Sequence, residues 1–365
     1  MASSLRKKIN YWLLYNTSVP LTQRIFFCEN LRVMIKAGLS ISEGLNTLAL
    51  QSESRMFRQV INTVREDVEA GKLLSQGMAK FPKIFNTIFI SMVQIGEVSG
   101  TLDENLNELT QQMKKDYALR SKVKGAMTYP LVILVAMLGI TTALLVFVLP
   151  KLLDIFKEFG DVKLLLATRI LITVSDFVQA RGVLLAIGLV LLTLILVTLA
   201  RTKQGRSFIH SALLSAPILG PIVKKVNLAR FSRTFSGLLK TDIPVVQSLT
   251  VTAEVMGNLH YRQACLDAGE YIKKGETIAR SLGAYRKLFP PLVVQMVSVG
   301  ERSGNVDSLL ADIAEFYEQQ VDNVLSSLSS IIEPVLILLL GGMVGGIALA
   351  VMMPMYALTQ AISEQ

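Results

Sequence analysis

Three stretches of this chain carry no charged residue, and they limit what it can fold into more than any other feature. Between Lys124 and Lys151 the apolar core is Leu131 to Leu149, between Arg181 and Arg201 it is Gly182 to Ala200, and between Glu333 and Glu364 it is Val335 to Met353. Each core has 19 residues. At about 1.5 Å per residue a helix of that length spans about 28 Å, the thickness of bilayer hydrocarbon. The pattern predicts three transmembrane helices, with the two termini on opposite sides of the membrane. Composition agrees: 51% of residues are hydrophobic and 18% charged, where a soluble domain carries about 25% charged. The expected divisions are a leader 1–21, a first polar domain 22–130, a first span 131–149, a loop 150–181, a second span 182–200, a second polar domain 201–333, a third span 334–353 and a tail 354–365.

Charge says less about orientation. Residues 1–130 hold 17 Lys and Arg against 11 Asp and Glu, residues 201–333 hold 15 against 12, and the loop 150–182 holds 5 against 4. The loop is as basic per residue as the domains, so the positive-inside rule alone does not decide. Lys114, Lys115, Arg120, Lys122 and Lys124, next to the first span, favour the N-terminal side as cytoplasmic. Arg6, Lys7 and Lys8 precede a stretch, Ile9 to Tyr15, that is too short and aromatic for a signal peptide and reads as a short amphipathic helix. The net charge of +9 fits lipid headgroups and cytoplasmic loops, and no nucleic-acid partner is expected.

Shifted by 204 residues, the chain matches itself without a gap. Phe27 falls on Phe231, Lys36 on Lys240, Leu45 on Leu249, Ala49 on Ala253, Gly71 on Gly275 and Phe85 on Phe289. Gly96, Glu97, Ser99, Gly100 and Asp103 fall on Gly300, Glu301, Ser303, Gly304 and Asp307, and Pro130 and Pro150 fall on Pro334 and Pro354. Shared apolar composition does not produce matches at glycine, proline and a charged turn, so the chain is a duplication of a polar domain followed by a span. The polar domains read as all-helical. Phe27, Leu31, Met34 and Ile35 form one stripe ended by Gly38, and Ser40 with Glu43 forms a capping box. Met56, Val60, Ile61, Val64 and Val68 form a second stripe ended by Gly71. Ile84, Phe85, Ile88, Phe89, Met92 and Val93 form a third ended by Gly96. Thr101 and Glu104 suggest another box, and Leu102, Leu106, Leu109 and Met113 lead towards the membrane. Each domain is expected to be a small helical bundle whose last helix runs into its span.

Chemistry-bearing motifs are scarce. The two cysteines, Cys28 and Cys265, read as buried thiols. The two histidines, His210 and His260, are 50 residues apart with no ligand pattern, and His210 reads as a surface residue. No phosphate-binding loop or catalytic motif occurs, and no catalytic, cofactor or metal site is expected. The sharpest feature is the corner Gly96, Glu97, Ser99, Gly100 and its copy Gly300, Glu301, Ser303, Gly304. Glu97 and Glu301 could accept hydrogen bonds from free amides at the following helix start while the glycines take positive φ, or could hold a cation or a partner. Asp103 and Asp307 would help in either case. In the third span Gly341, Gly342, Gly345 and Gly346 form a small-residue face for close packing, within the chain or against another copy.

Several segments together resemble a known family. Leu228 to Leu249, Gly96 to Gly100, Gly300 to Gly304, Ile332 to Pro334, Leu149 to Lys151 and Ala216 to Gly220 are similar to the F-type proteins of type II secretion and type IV pilus systems, in the same order over about residues 22–360. The leader is shorter, and Leu166, Ala167 and Thr168 stand where many relatives carry prolines. The resemblance implies an inner-membrane platform protein, not an enzyme, with both bundles in the cytoplasm. It also implies a cytoplasmic hexameric assembly ATPase, pilins or pseudopilins, other inner-membrane assembly proteins, the lipid bilayer and further copies of the chain as partners. The rival readings are a small transporter or channel subunit, which would need polar groups within the spans, and a membrane-anchored enzyme or sensor, which would need a nucleophile, metal cluster or nucleotide motif. Neither set of residues is seen in the sequence.

Overall fold

The computed structural model describes residues 18–148, 202–217 and 219–363, with single positions and short runs between 173 and 200. The leader as far as residue 17 and most of the loop 150–181 lie outside the described residues. The first repeat comprises α1 (Leu21–Lys36), α2 (Ile41–Gln51), α3 (Arg55–Glu69), α4 (Leu74–Ala79), α5 (Thr87–Ser99) and α6 (Leu102–Ala143), which continues as a π-helical turn, Leu144–Val148. After α7 (Lys203–Ser215) the second repeat comprises α8 (Leu219–Lys240), α9 (Val245–Val255), α10 (Leu259–Lys273), α11 (Ile278–Gly283), α12 (Pro291–Ser303) and α13 (Val306–Ser363). Among the described residues there is no strand. Helices α9 to α12 begin and end 204 residues after α2 to α5, so the duplication is one of structure as well as of sequence.

Local chemistry accounts for the helix ends. The Ser40 hydroxyl accepts from the Glu43 amide while the Glu43 carboxylate accepts from the Ser40 amide, a complete capping box. Asn86 Oδ1 accepts from Phe89 N at the start of α5. Thr101 makes no such box with Glu104 among the described bonds; its hydroxyl lies 2.6 Å from Ser99 Oγ. After α1 the chain turns at Gly38, φ +87°, and the matching residue after α8 is Asp242, φ +57°, the only non-glycine with positive φ among the described residues. Aspartate tolerates that region better than most side chains.

The chain folds as two compact units. The first comprises 1–121 and 207–322, and so holds the greater part of each repeat's polar helices. In the first repeat Phe27, Phe57, Phe85 and Phe89 form one ring cluster, with Phe85 and Phe89 centroids 5.0 Å apart. In the second, Phe231, Phe289 and Tyr261 occupy the matching places, 5.0 and 5.6 Å apart. Tyr261, where the first repeat has Phe57, is fully buried and donates its hydroxyl to Leu288 O at 2.9 Å, as a buried phenol must. Both cysteines are buried and free, and burial pushes the Cys28 thiol up to about 12. The repeats touch each other through α5 and α9, and Leu238, Ile243 and Val251 join the first repeat's core. The contact is one-sided. Ile88 on α5 is 4% exposed, while its copy on α12, Leu292, is 45% exposed.

The second unit comprises 122–206 and 323–365. Both α6 and α13 are long and apolar enough to cross a membrane. Their side chains there face outward: Leu138 is 68% exposed and Leu338 is 75% exposed. So much outward apolar surface requires lipid around it. The helices touch where Thr141 Oγ1 meets Met343 Sδ. Described positions between 180 and 200 are helical, and Leu184, Ile187 and Leu194 among them are exposed. The chain thus offers two or three candidate spans. The bent pair α7–α8 also passes by composition, but Leu228, Phe231 and Phe235 of α8 are buried in the first unit's core.

Asp67 gives this fold a pH dependence. It is 7% exposed and pairs with Lys72 Nζ at 2.7 Å and with Lys80 Nζ. Burial pushes its carboxyl up, but hydrogen bonds and charge from Lys72 and Lys80 outweigh burial and hold it below the usual range. A carboxylate whose folded pKa is depressed contributes its stability above the unfolded value, about 3.9, and loses it as pH falls through the folded value. Asp67→Asn is expected to cost about 1–2 kcal/mol at pH 7 and to flatten the acid limb of stability. Tyr271→Phe, at the matching position of the second repeat, should leave that limb unchanged. Thermal unfolding of the full chain in detergent between pH 7 and 3 measures both.

Candidate functional site

The two corners are superimposable in chemistry, and the glutamates do not do what their sequence position suggests. Glu97 does not cap the helix that follows it. Its carboxylate accepts from the amides of Leu74 and Ser75, the latter at 2.9 Å, at the start of α4. Glu301 accepts in the same way from Ile278 N and Ala279 N, the latter at 2.9 Å, at the start of α11. Each short helix is therefore capped by a charge from a residue 22 or 23 positions later. A helix of six residues has most of its amides unsatisfied by its own carbonyls, so this external acceptor is what makes it hold.

The glycines divide the work. Gly100 and Gly304 end their helices in the left-handed region, with φ of +78° and +74°. Gly96 and Gly300 are helical instead. A Cβ on Gly96 would lie 2.8 Å from Leu102 Cα, and one on Gly300 would lie 2.9 Å from Val306 Cα. The next helix thus crosses directly over these two positions. Ser99 Oγ donates to Ile95 O at 2.8 Å and Ser303 Oγ lies 3.4 Å from Gly300 O. Asp103 and Asp307 stand in the first turns of α6 and α13, where a negative charge suits the helix dipole. The solvent-facing tip of the first corner is Val98, Ser99 and Gly100, with Val98 77% exposed. Among the described residues no group of three or more His, Cys, Asp or Glu could hold a metal ion.

In the third span Gly341, Gly342, Gly345 and Gly346 are exposed, and a Cβ on any of them would meet nothing within 4 Å. Packing within the chain at these glycines is therefore not seen among the described residues. The histidines are a correction. His210 is half-buried, and its Nδ1 accepts from Leu259 N at 3.1 Å, while Ser211 Oγ and His260 Nε2 lie 2.8 Å apart. Both histidines thus meet at the joint of α7 and α10, although nothing in their spacing pairs them.

A further polar cluster joins the repeats, and sequence reading missed it. Arg230 on α8 reaches Asp116 on α6 at 3.0 Å, and Arg120 reaches the same carboxylate at 2.7 Å. Arg233 reaches Glu318 on α13 through Nε and Nη2, each at 3.0 Å, with Lys115 Nζ at 3.6 Å. Gln112 Nε2 donates to Thr234 Oγ1 at 3.0 Å. Lys115 and Arg120 are among the residues that read as membrane-proximal positive charge, and Lys114 pairs with Glu29 at 2.6 Å. The only sequence signal was a run of mixed charge along α6.

The corners make a direct prediction. Glu97→Gln and Glu301→Gln should each cost about 1 kcal/mol. They should speed amide hydrogen exchange in Leu74–Ala79 and Ile278–Gly283 respectively, each without affecting the other. Unchanged protection in either peptide would show that its helix does not rely on the glutamate. Gly96→Ala should cost more, about 1–3 kcal/mol, because two backbones must separate.

Comparison with known proteins places this architecture. The family described as "Type II secretion system (T2SS), protein F" matches residues 27–150 and again 231–354, the same 204-residue offset as the duplication. The chain is 35% identical over 338 residues to the type IV pilus assembly protein PilC of Myxococcus xanthus, covering 93% of this chain and 81% of that one. It is 35% identical over 343 residues to PilC of Thermus thermophilus, covering 93% and 83%. It is 33% identical over 336 residues to type II secretion system protein F of Vibrio cholerae, covering 92% and 82%. Two matched repeats, each a helical bundle running on into an apolar helix, make this chain a member of the type II secretion system protein F family and an inner-membrane protein.

Proposed function

We propose that this chain is the inner-membrane platform of a type IV pilus or type II secretion machine, coupling a cytoplasmic hexameric assembly ATPase to the extraction of pilins or pseudopilins from the bilayer and to fibre assembly. The observation that carries this reading is the continuity of α6 and α13, each a single helix from a polar bundle into an apolar, lipid-suited stretch. A force on either bundle has a covalent, hydrogen-bonded route into the membrane. We read the protein as non-enzymatic and without a cofactor, so work enters through protein contact. Other inner-membrane assembly proteins and further copies of the chain complete the partner set, and the exposed glycines at 341, 342, 345 and 346 suit a neighbouring helix.

In this reading the first bundle occupies 22–130 and the second 201–333, both cytoplasmic, with spans at 131–149, 182–200 and 334–353. The loop 150–181 and the tail 354–365 are periplasmic. The basic residues beside the first span support N-terminus inside. A periplasm-active reporter fused after Gln365 is expected to signal, and the same reporter fused within 201–333 is expected to stay silent. A silent C-terminal fusion would overturn the three-span arrangement.

Contact with the ATPase is testable apart from topology. Arg55 and Arg58 on α3 and Lys273 and Lys274 at the end of α10 are exposed. Exposed charge attraction decays within about 10 Å at 0.1 M salt, so co-purification of the ATPase should weaken as salt rises. Reversing both charges of either pair should lower association further, with the variant still folded by circular dichroism. Association that is unaffected by salt and by both reversals would remove the bundles' basic faces as the docking surface.

A further inference from the structure

Within the chain the second repeat sits on the first through one pair of faces. Helices α8 and α9 present one face, and α5 and α6 receive it. Arg230 pairs with Asp116, Thr234 accepts from Gln112, and Glu254 accepts from Thr87. A Cβ on Gly237 would lie 3.4 Å from Gln112 Oε1, and Ile243, in the turn before α9, lies in the first repeat's core. At the 204-residue offset the copies of the presenting face lie on α1 and α2, and those of the receiving face on α12 and α13. A two-fold contact would bury both sets of copies. Here both are open. Phe26 and Val33, the copies of Arg230 and Gly237, are each 51% exposed, and Leu39 and Leu50, the copies of Ile243 and Glu254, are exposed too. On the other repeat Phe316, the copy of Gln112, is 42% exposed, and Pro291 and Leu292, the copies of Thr87 and Ile88, are exposed as well.

The two open faces match in chemistry. Where the internal contact sets Gln112 against Gly237, the open faces carry Phe316 and Val33. Where it sets Thr87 against Glu254, they carry Pro291 and Leu50. Arg230 and Asp116 have a mixed pair, Phe26 and Gln320, as their copy. At the edge, Glu108 Oε1 would lie 3.1 Å from a Cβ on Gly237. Its copy is the exposed Asp312, which the same geometry brings beside Val33, one turn from the exposed Lys36. A contact inside one chain forms at high effective concentration and can rest on polar pairs. A contact between chains must offset lost translational and rotational freedom, and apolar surface is what does so. Single exposed apolar residues are ordinary on a surface. These stand together at the copies of interface positions, which marks them as an interface.

We infer that the open face of α1 and α2 and the open face of α12 and α13 are the two halves of one contact, made head to tail between successive copies of this chain, in the geometry by which α8 and α9 sit on α5 and α6 within each copy. The inference rests on the proposed function only for the presence of further copies, and it assigns them a surface. Val33 of one copy then meets Phe316 of the next, and Leu50 meets Pro291.

Site-directed cross-linking tests this. Two full-length copies with different tags, one carrying Val33→Cys and the other Phe316→Cys, are produced together in the host membrane and treated with a short bis-maleimide. Cys28 and Cys265 are buried and stay out of the reaction. A product bearing both tags is expected, and a chain carrying both substitutions should give higher multiples. Val33→Cys with Lys273→Cys, which is exposed on α10 and outside both faces, should give none. Leu50→Glu puts at a position 75% exposed the residue that the second repeat carries as Glu254, so the bundle tolerates it. It should lower the mixed product about tenfold with the thermal midpoint unchanged, because a charge is then buried against Pro291. A product joining two Val33→Cys chains, without the mixed one, would mean a two-fold dimer. A product within one chain between Val33→Cys and Trp12→Cys, again without the mixed one, would mean that the leader covers this face. Either result, or no cross-link at all, overturns the inference. Pilus assembly and secretion are scored in the same strain with the unsubstituted chain and with its deletion. A failed contact in a machine that needs the chain leaves the platform reading standing, whereas a mixed product in a strain that does not need it removes that reading and keeps the contact.

Discussion

Two ion pairs cross between the polar domains, Arg230 to Asp116 and Lys115 to Glu318, beside an apolar core that the repeats share. Asp116 on α6 and Glu318 on α13 are both largely withdrawn from water, and each meets an arginine from α8. Ion pairs of this kind repay little more than their own desolvation, so their main effect is on register: a shift of either helix would strand a buried charge. The apolar contact of α5 with α9 supplies attraction without a fixed alignment. The ionic seam supplies the alignment.

Duplication set up this arrangement, and divergence made it asymmetric. Each repeat has the same helices and the same glutamate-capped fourth helix, yet the copies use different faces. Ile88 is covered by the second repeat, whereas Leu292 in the same position of the other copy is open. An interface between two unequal faces of tandem copies cannot be satisfied twice within one chain. The copies then changed where their surroundings differ. Where the first repeat has Phe57 the second has Tyr261 with a hydrogen bond to Leu288, Asp67 with its two lysines corresponds to Tyr271, and Asp242 stands where the first repeat turns at Gly38.

For a member of the type II secretion system protein F family, the corner motif is a structural clasp before it is anything else. Both oxygens of Glu97 and of Glu301 are occupied by amides of a helix earlier in the chain. The carboxylate ties the short fourth helix to the turn that leads into the long membrane-bound one. Gly96 and Gly300 let that long helix cross directly over the same turn. What the corner offers to solvent is the tip around Val98 and Arg302, and there the two repeats differ, one apolar and one cationic.

The sequence by itself determined the helical class, the membrane-suited stretches and the duplication, because these rest on composition, on period and on self-comparison at a fixed offset. It also marked the core of the first bundle: Phe27, Val60 and Phe85 of its helical stripes are buried, and Met34, Ile35, Met56, Val68 and Met113 of the same stripes pack against that core partly buried. Tertiary structure decided where the charges go. Glu97 was legible as an acceptor of helix-terminal amides, but which helix it caps depends on a fold-back over more than twenty residues that no local pattern encodes. His210 and His260, 50 residues apart in sequence, come to one place only because α7 packs against α10. The seam of Asp116, Arg230, Arg233 and Glu318 was hidden for the same reason. A charged residue on a helix looks alike whether it faces water or a partner, and only the packing of one repeat against the other withdraws these from water and makes their pairing obligatory.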